Sequence, residues 1–235
     1  MTVQMRRKLG PLQDSCKGKC VWILGSGPTL DDCDISRMSG DYIFALNSSY
    51  TFVWDHKMFN DAWWLLFDLR AYSELKERVK KIPLVKALVC KKSLEQMREL
   101  RNGGQYVEFV KLRFEPERSI VETALLIADF LGFDEAYMVG VDGFVPRDGV
   151  PYCKAIDEWK KCHFMDKTLP DSWKGSSRDI VKALKAVKER LSRLEVFQTS
   201  TAFPEPIFQQ ISFEEALKRS EAFDAAVTRG KGKSL

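Results

Sequence analysis

Val21-Trp22-Ile23-Leu24-Gly25-Ser26-Gly27-Pro28-Thr29-Leu30 is the stretch that decides the reading of this chain. Four apolar residues in a row fit a parallel strand covered on both faces. Gly25 and Gly27 allow a sharp turn and leave room for a ligand to approach the backbone. Thr29 or Asp31 then caps a short helix whose free N–H groups point back over the strand end. Open parallel sheets bind ligands at that C-terminal edge, so Gly25, Ser26, Gly27, Pro28 and Thr29 are the first candidates for a nucleotide-phosphate site. A tight strand-to-helix turn that binds nothing uses the same residues. The turn lacks the third glycine of the dinucleotide fingerprint, and no Gly-Lys-Ser/Thr follows to make it a P-loop.

With 235 residues the chain is one large domain, or a domain with an appendage, and is ample for a core. Hydrophobic content of 45% and charged content of 30% are those of an ordinary globular protein. No apolar stretch approaches the length of a membrane span. Met5-Arg6-Arg7-Lys8 is basic, but no apolar run follows to make a secretory signal. The six cysteines, Cys16, Cys20, Cys33, Cys90, Cys153 and Cys162, form no regular framework and read as free thiols in a reducing cytoplasm. Much of the net charge of +4 lies in two tails. Residues 1–19 read as a basic extension, with Arg6, Arg7, Lys8, Lys17 and Lys19. Residues 223–235 read as a disordered basic tail, with Arg229, Lys231 and Lys233. Such tails are ordinarily just solvated, attraction to nucleic acid or anionic lipid being the minor reading.

Between the tails, residues 20–222 read as a single Rossmann-like nucleotide-binding domain. Further buried strands are expected at Asp41 to Asn47, Ala62 to Asp68, Leu84 to Cys90 and Tyr106 to Val110, with a polar helix around Leu94 to Leu100. Ser119 to Leu131 is a helix apolar on most sides, terminated by Gly132. Glu135 to Asp142 is the best-formed strand, with Asp142 at its C-terminal end. Periodicity stops in residues 143–175, which are crowded with Pro, Asp, Lys and aromatics and read as a lid or acceptor loop. Ile180, Leu184, Val187, Leu191 and Leu194 then recur on one face of a helix capped by Ser176 or Ser177. Glu195 to Gln198 is a last strand, and Ser212 with Glu215 forms a capping box for a terminal helix. Strands alternating with helices predict a doubly wound, mostly parallel α/β sheet with a long insertion.

Three blocks together resemble a known superfamily. Ile23 to Leu30 followed by Phe44-Ala45-Leu46-Asn47 resembles the start of the bacterial lipo-oligosaccharide sialyltransferases. It is similar also to the motility-accessory-factor glycosyltransferases and the archaeal-type hydroxymethylpterin pyrophosphokinases. Glu122 to Leu125, running on through Leu131 to Asp142, resembles their helix-then-strand block ending in Gly-Val/Ile-Asp. Val196 to Pro204 is similar to the closing strand of phage and bacterial members, with Gln198 where relatives often carry Asn. The resemblance spans roughly residues 20 to 217 and implies transfer of a sugar from a nucleotide donor, such as a CMP sugar, to an acceptor hydroxyl. Two alternatives accompany it: an Mg²⁺-dependent pterin pyrophosphokinase using ATP, and a phage-type glycosyltransferase acting on modified bases in DNA. No aromatic-basic platform or DNA-binding motif supports a DNA acceptor.

Glycosyl transfer needs a stabilised phosphate leaving group, a deprotonated acceptor hydroxyl and in-line alignment of the two. The turn amides from Gly25 to Thr29 suit the phosphate, while Asn47 and Ser48 suit the ribose or base. Asn47 reads equally as a turn residue leading into the next helix. Asp68 either contacts the donor or caps a helix. The chain has two histidines, His56 and His163. The resemblance implies that His163 is the general base and that Tyr152 holds the departing phosphate. Asp142 reads as catalytic, as a cap for the following segment, or as a ligand for a divalent cation on a nucleotide phosphate. A sialyltransferase-like enzyme needs no cofactor beyond its donor, whereas a pyrophosphokinase needs Mg²⁺ bridging the phosphates of ATP. Cys153, Cys162 and His163 lack zinc-site spacing. Trp63 and Trp64 read as core, while Trp159 and Trp173 offer stacking surfaces for a sugar or base. The donor sugar, the acceptor and the oligomeric state are not encoded in any of these patterns.

Overall fold

The computed structural model describes residues 12–38, 42–56, 62–66, 72–73, 76–77, 84–89, 106–111, 119–142, 176–201 and 206–231. Eight strands pair into one sheet: β1 (Cys20–Leu24), β2 (Tyr42–Leu46), β3 (Ala62–Leu66), β4 (Leu84–Val89), β5 (Tyr106–Lys111), β6 (Glu135–Val139), β7 (Glu195–Gln198) and β8 (Gln209–Gln210). Their order is β5-β4-β3-β2-β1-β6-β7-β8. Every neighbouring pair is parallel. The chain winds outward from β1 to β5, then returns to the other side of β1 and winds outward again. The fold is therefore doubly wound and Rossmann-like, and its direction reverses between β1 and β6.

Both faces of the sheet are covered, which is why its central strands are apolar at successive positions rather than at alternate ones. All five residues of β1 are buried. Cys20, Trp22 and Leu24 face one apolar cluster, and Val21 and Ile23 the other. On the first face Trp22 packs against Tyr137 and Phe213, with ring centroids 4.8 and 5.8 Å away. On the second, Phe133 meets Phe44 edge to face at 5.9 Å. Trp64 is fully buried and Trp63 partly so, as core residues of β3.

Helices accompany the sheet, among them α1 (Tyr50–Asp55), α2 (Ile120–Leu131), α3 (Ser176–Lys188) and α4 (Phe213–Lys231). The Ser119 side chain accepts from the Val121 N–H at 3.2 Å to cap α2, and Gly132, at φ 87°, ends it. The Ser212 hydroxyl accepts from the Glu215 N–H at 3.1 Å to open α4. Arg219 of α4 then binds Glu135 of β6 at 2.6 Å and lies over the Phe197 ring at 4.2 Å.

Four boundaries differ from those read in the sequence; the first is that α3 ends at Lys188, so Leu191 and Leu194 lie in the connection to β7 rather than on the helix. Residues from 12 onward already belong to the fold: the Cys16 N–H donates to the Leu131 carbonyl at 2.8 Å, and the Cys16 side chain is buried. α4 continues to Lys231, so most of the expected disordered tail is helix. β6 stops at Val139, because Gly140 turns the chain out of the sheet at φ +64°. The expected helix around Leu94 to Leu100 lies outside the described residues.

Candidate functional site

The reversal between β1 and β6 places two turns side by side at the C-terminal edge of the sheet, and backbone hydrogen bonds join them. Gly25 N–H donates to the Val139 carbonyl at 2.8 Å, and Gly27 N–H to the Gly140 carbonyl at 2.7 Å. This contact is why the turn is built of glycine. A Cβ on Gly25 would stand 2.3 Å from the Gly140 oxygen, and one on Gly27 would stand 2.4 Å from the Asp142 carboxylate. Residues 113 positions apart in sequence are thereby packed at backbone distance.

A short 3-10 helix, Pro28–Asp32, follows the turn, with Gly27 at its N-cap position and therefore no side chain to cap it. Neither Thr29 nor Asp31 supplies the cap that the sequence suggested. Asp142 does so from the neighbouring turn. Its Oδ2 accepts the Thr29 N–H at 2.7 Å, and its Oδ1 accepts the Thr29 hydroxyl at 2.5 Å. Asp142 is 3% exposed, and both of its carboxyl oxygens are hydrogen-bonded, as buried polar groups require.

These bonds consume most of the amides expected to cradle a phosphate. Gly25, Gly27 and Thr29 N–H groups are engaged within the protein, and Pro28 has none. Among the described residues, no partner is found for the Ser26 N–H or hydroxyl, and Ser26 is half-buried at the crevice. Cys33 lies just beyond, its thiol 3.6 Å from the Thr29 carbonyl. Burial, followed by the charges of Asp32 and Asp142, pushes that thiol up to about 11.

On the other side of β1 from β6, the end of β2 adds Asn47 and Ser48 to the same edge of the sheet. Asn47 takes the left-handed conformation at φ 48°, which Asn tolerates better than most residues. Its carbonyl accepts the Trp64 indole N–H at 2.9 Å. Asn47 is half-buried, and Ser48 is 9% exposed. The structure thus brings Gly25, Ser26, Gly27, Pro28, Thr29, Asn47, Ser48 and Asp142 to one edge of the sheet. Asp68, Tyr152 and His163 lie outside the described residues, as do Cys153, Cys162, Trp159, Trp173 and all of residues 143–175. His56 is exposed at the end of α1, its N–H bonded to Phe52 O at 2.9 Å.

Ser49 is a structural residue of this edge that sequence reasoning missed. Its hydroxyl lies 2.6 Å from Leu24 O and 2.9 Å from Leu46 O, between the last residues of β1 and β2. A serine after Asn-Ser carries no local signal for such a contact. A separate groove of about 370 Å³ lies at the opposite edge, lined by Lys188, Arg193, Glu195, Phe208 and Gln209 among others. Its cations are engaged: Lys188 donates to Ile207 O at 2.7 Å, and Arg193 pairs with Asp14.

No protein-family model matches the chain, and no curated protein matches it. Among solved structures, the chain is similar to the monofunctional alpha-2,3-sialyltransferase Cst-I from Campylobacter jejuni. The two share 14% identity over 77% of this chain and 75% of that one, with a TM-score of 0.47. It is similar also to the sialyltransferase Cst-II in complex with CMP, at 16% identity, 77% and 80% coverage and a TM-score of 0.42. Among the described residues, no helix is long and apolar enough to cross a membrane.

Proposed function

We propose that this chain is a glycosyltransferase moving a sugar from a nucleotide donor, of which a CMP sugar is the leading case, to an acceptor hydroxyl. The observation that carries the reading is the placement of Gly25-Ser26-Gly27-Pro28-Thr29 at the β1/β6 reversal, with Asn47 and Ser48 at the end of the adjoining strand β2. Doubly wound sheets bind their ligands at this point. The sequence blocks that resemble sialyltransferases supply the class of reaction.

In this account Ser26 offers its N–H and hydroxyl to the donor phosphate, and Asn47 and Ser48 hydrogen-bond the nucleoside. His163 takes the proton of the acceptor hydroxyl, the task that suits an imidazole titrating near neutrality, and Tyr152 holds the leaving phosphate. These last two roles rest on the family resemblance alone. For a pyrophosphokinase, Asp142 would be a ligand of the Mg²⁺ on the nucleotide phosphates. Both of its oxygens serve Thr29, and the described residues gather no group of three or more His, Cys, Asp or Glu for a metal.

A thermal-shift panel of CMP, UDP, GDP and ATP, with and without Mg²⁺, tests the reading, since a ligand bound to the native state raises its apparent stability. Stabilisation by CMP that is indifferent to Mg²⁺ is the expected result. A response to ATP only when Mg²⁺ is present would transfer the chain to the pyrophosphokinase class.

A further inference from the structure

We infer that Asp142 acts as a positioning residue for the nucleotide site: through Thr29 it fixes the Gly25–Thr29 turn and thereby aims Ser26. The inference rests on the glycosyltransferase reading for what the turn binds, but the contact itself does not depend on that reading. Three observations converge. Gly27 cannot cap the helix that follows, and Asp142 provides the missing acceptor for the Thr29 N–H. The Thr29 hydroxyl donates to the second carboxylate oxygen, so both oxygens have a partner and the group is held in one orientation. Gly27 leaves the space the carboxylate occupies, because any Cβ there would stand within 2.4 Å of it.

Asp142 is 3% exposed and has both oxygens engaged.

Four variants in the full-length chain separate the roles: Thr29→Val, Thr29→Ser, Asp142→Asn and Asp142→Ala. In a clamp, a carboxamide at position 142 still accepts the Thr29 N–H and donates to the Thr29 oxygen, while Thr29→Ser keeps both donors. Affinity for CMP and for UDP, measured by calorimetry, should stay within about twofold of wild type for those two variants. It should fall about tenfold or more for Thr29→Val and Asp142→Ala, the loss expected when a buried polar group goes unpaired. Thr29→Val with unchanged affinity, or Asp142→Asn as damaging as Asp142→Ala, would overturn the inference. Amide exchange of residues 25–31 in the ligand-free protein gives a second reading. It should quicken in Thr29→Val and Asp142→Ala but not in the two conservative variants, and uniform exchange across all four would refute the clamp. Should the wild-type protein bind neither nucleotide, the functional reading fails while the exchange result still decides the clamp.

Discussion

The Ser49 hydroxyl stands 2.6 Å from the Leu24 carbonyl and 2.9 Å from the carbonyl of Leu46, so one side chain fastens the ends of β1 and β2 together. Ser49 is fully buried. Its one proton serves two acceptors, and neither is open to water as a substitute. Ser49→Ala should cost about 1 kcal/mol and lower Tm by roughly 2–4 °C. Differential scanning calorimetry checks this, and an unchanged Tm would show that the ends of β1 and β2 hold without the staple.

The glycines of the first turn make a graded pair. At Gly25 an added Cβ meets the Gly140 backbone, which cannot move aside, whereas at Gly27 it meets the Asp142 side chain. Gly25→Ala should therefore destabilise the fold by about 2 kcal/mol or more. Gly27→Val should keep a near-native circular dichroism spectrum while abolishing nucleotide binding, because it expels the carboxylate that orders the turn. Wild-type nucleotide affinity in Gly27→Val would remove this turn from the site.

Tyr50 stacks on Trp64 with ring centroids 5.0 Å apart, yet among the described residues its buried hydroxyl has no hydrogen-bond partner. Burial alone pushes its pKa well above the ordinary tyrosine value. Tyr50→Phe removes an unpaired polar atom and leaves the ring. Stability in urea should be unchanged or raised by up to about 1 kcal/mol. A loss of that size would mean the hydroxyl has a partner in solution.

Asp129, near the C-terminal end of α2, carries a pH-dependent part of the stability. Burial works to raise its pKa, but the Ser192 hydroxyl and the amides of Arg193, Leu194 and Ser192 outweigh burial and hold it below the usual carboxylate range. A carboxylate depressed in the folded state stabilises above its unfolded pKa of about 3.9. That stability is lost as pH falls through the lower folded value. Asp129→Asn should therefore destabilise the protein at neutral pH and flatten the acid limb of its stability profile. An acid limb identical to wild type would assign that dependence to other groups.

The layered fold was legible because its evidence is local. β1, β2, β3 and β6 are continuous apolar runs, and Ser119, Gly132, Ser212 and Glu215 are helix-end residues that act within one turn of the chain. β8 was invisible, since Gln209–Gln210 is a two-residue exposed edge strand with no pattern to read. The site was legible only in outline. Its glycines pointed to the crevice, but the joins between Gly25 and Val139, Thr29 and Asp142, and Ser49 and Leu24 are long-range contacts without a periodic signature. The same cause hid the docking of residues 12–19 on the end of α2.

A crystal structure of the protein grown with CMP would show whether a nucleotide sits at the β1/β6 reversal. The phosphate should lie within hydrogen-bonding distance of the Ser26 N–H and hydroxyl, with the nucleoside against Asn47 and Ser48 and the Asp142–Thr29 contact intact. CMP ordered at the opposite edge, in the groove beside Lys188 and Gln209, with Ser26 untouched, would contradict it.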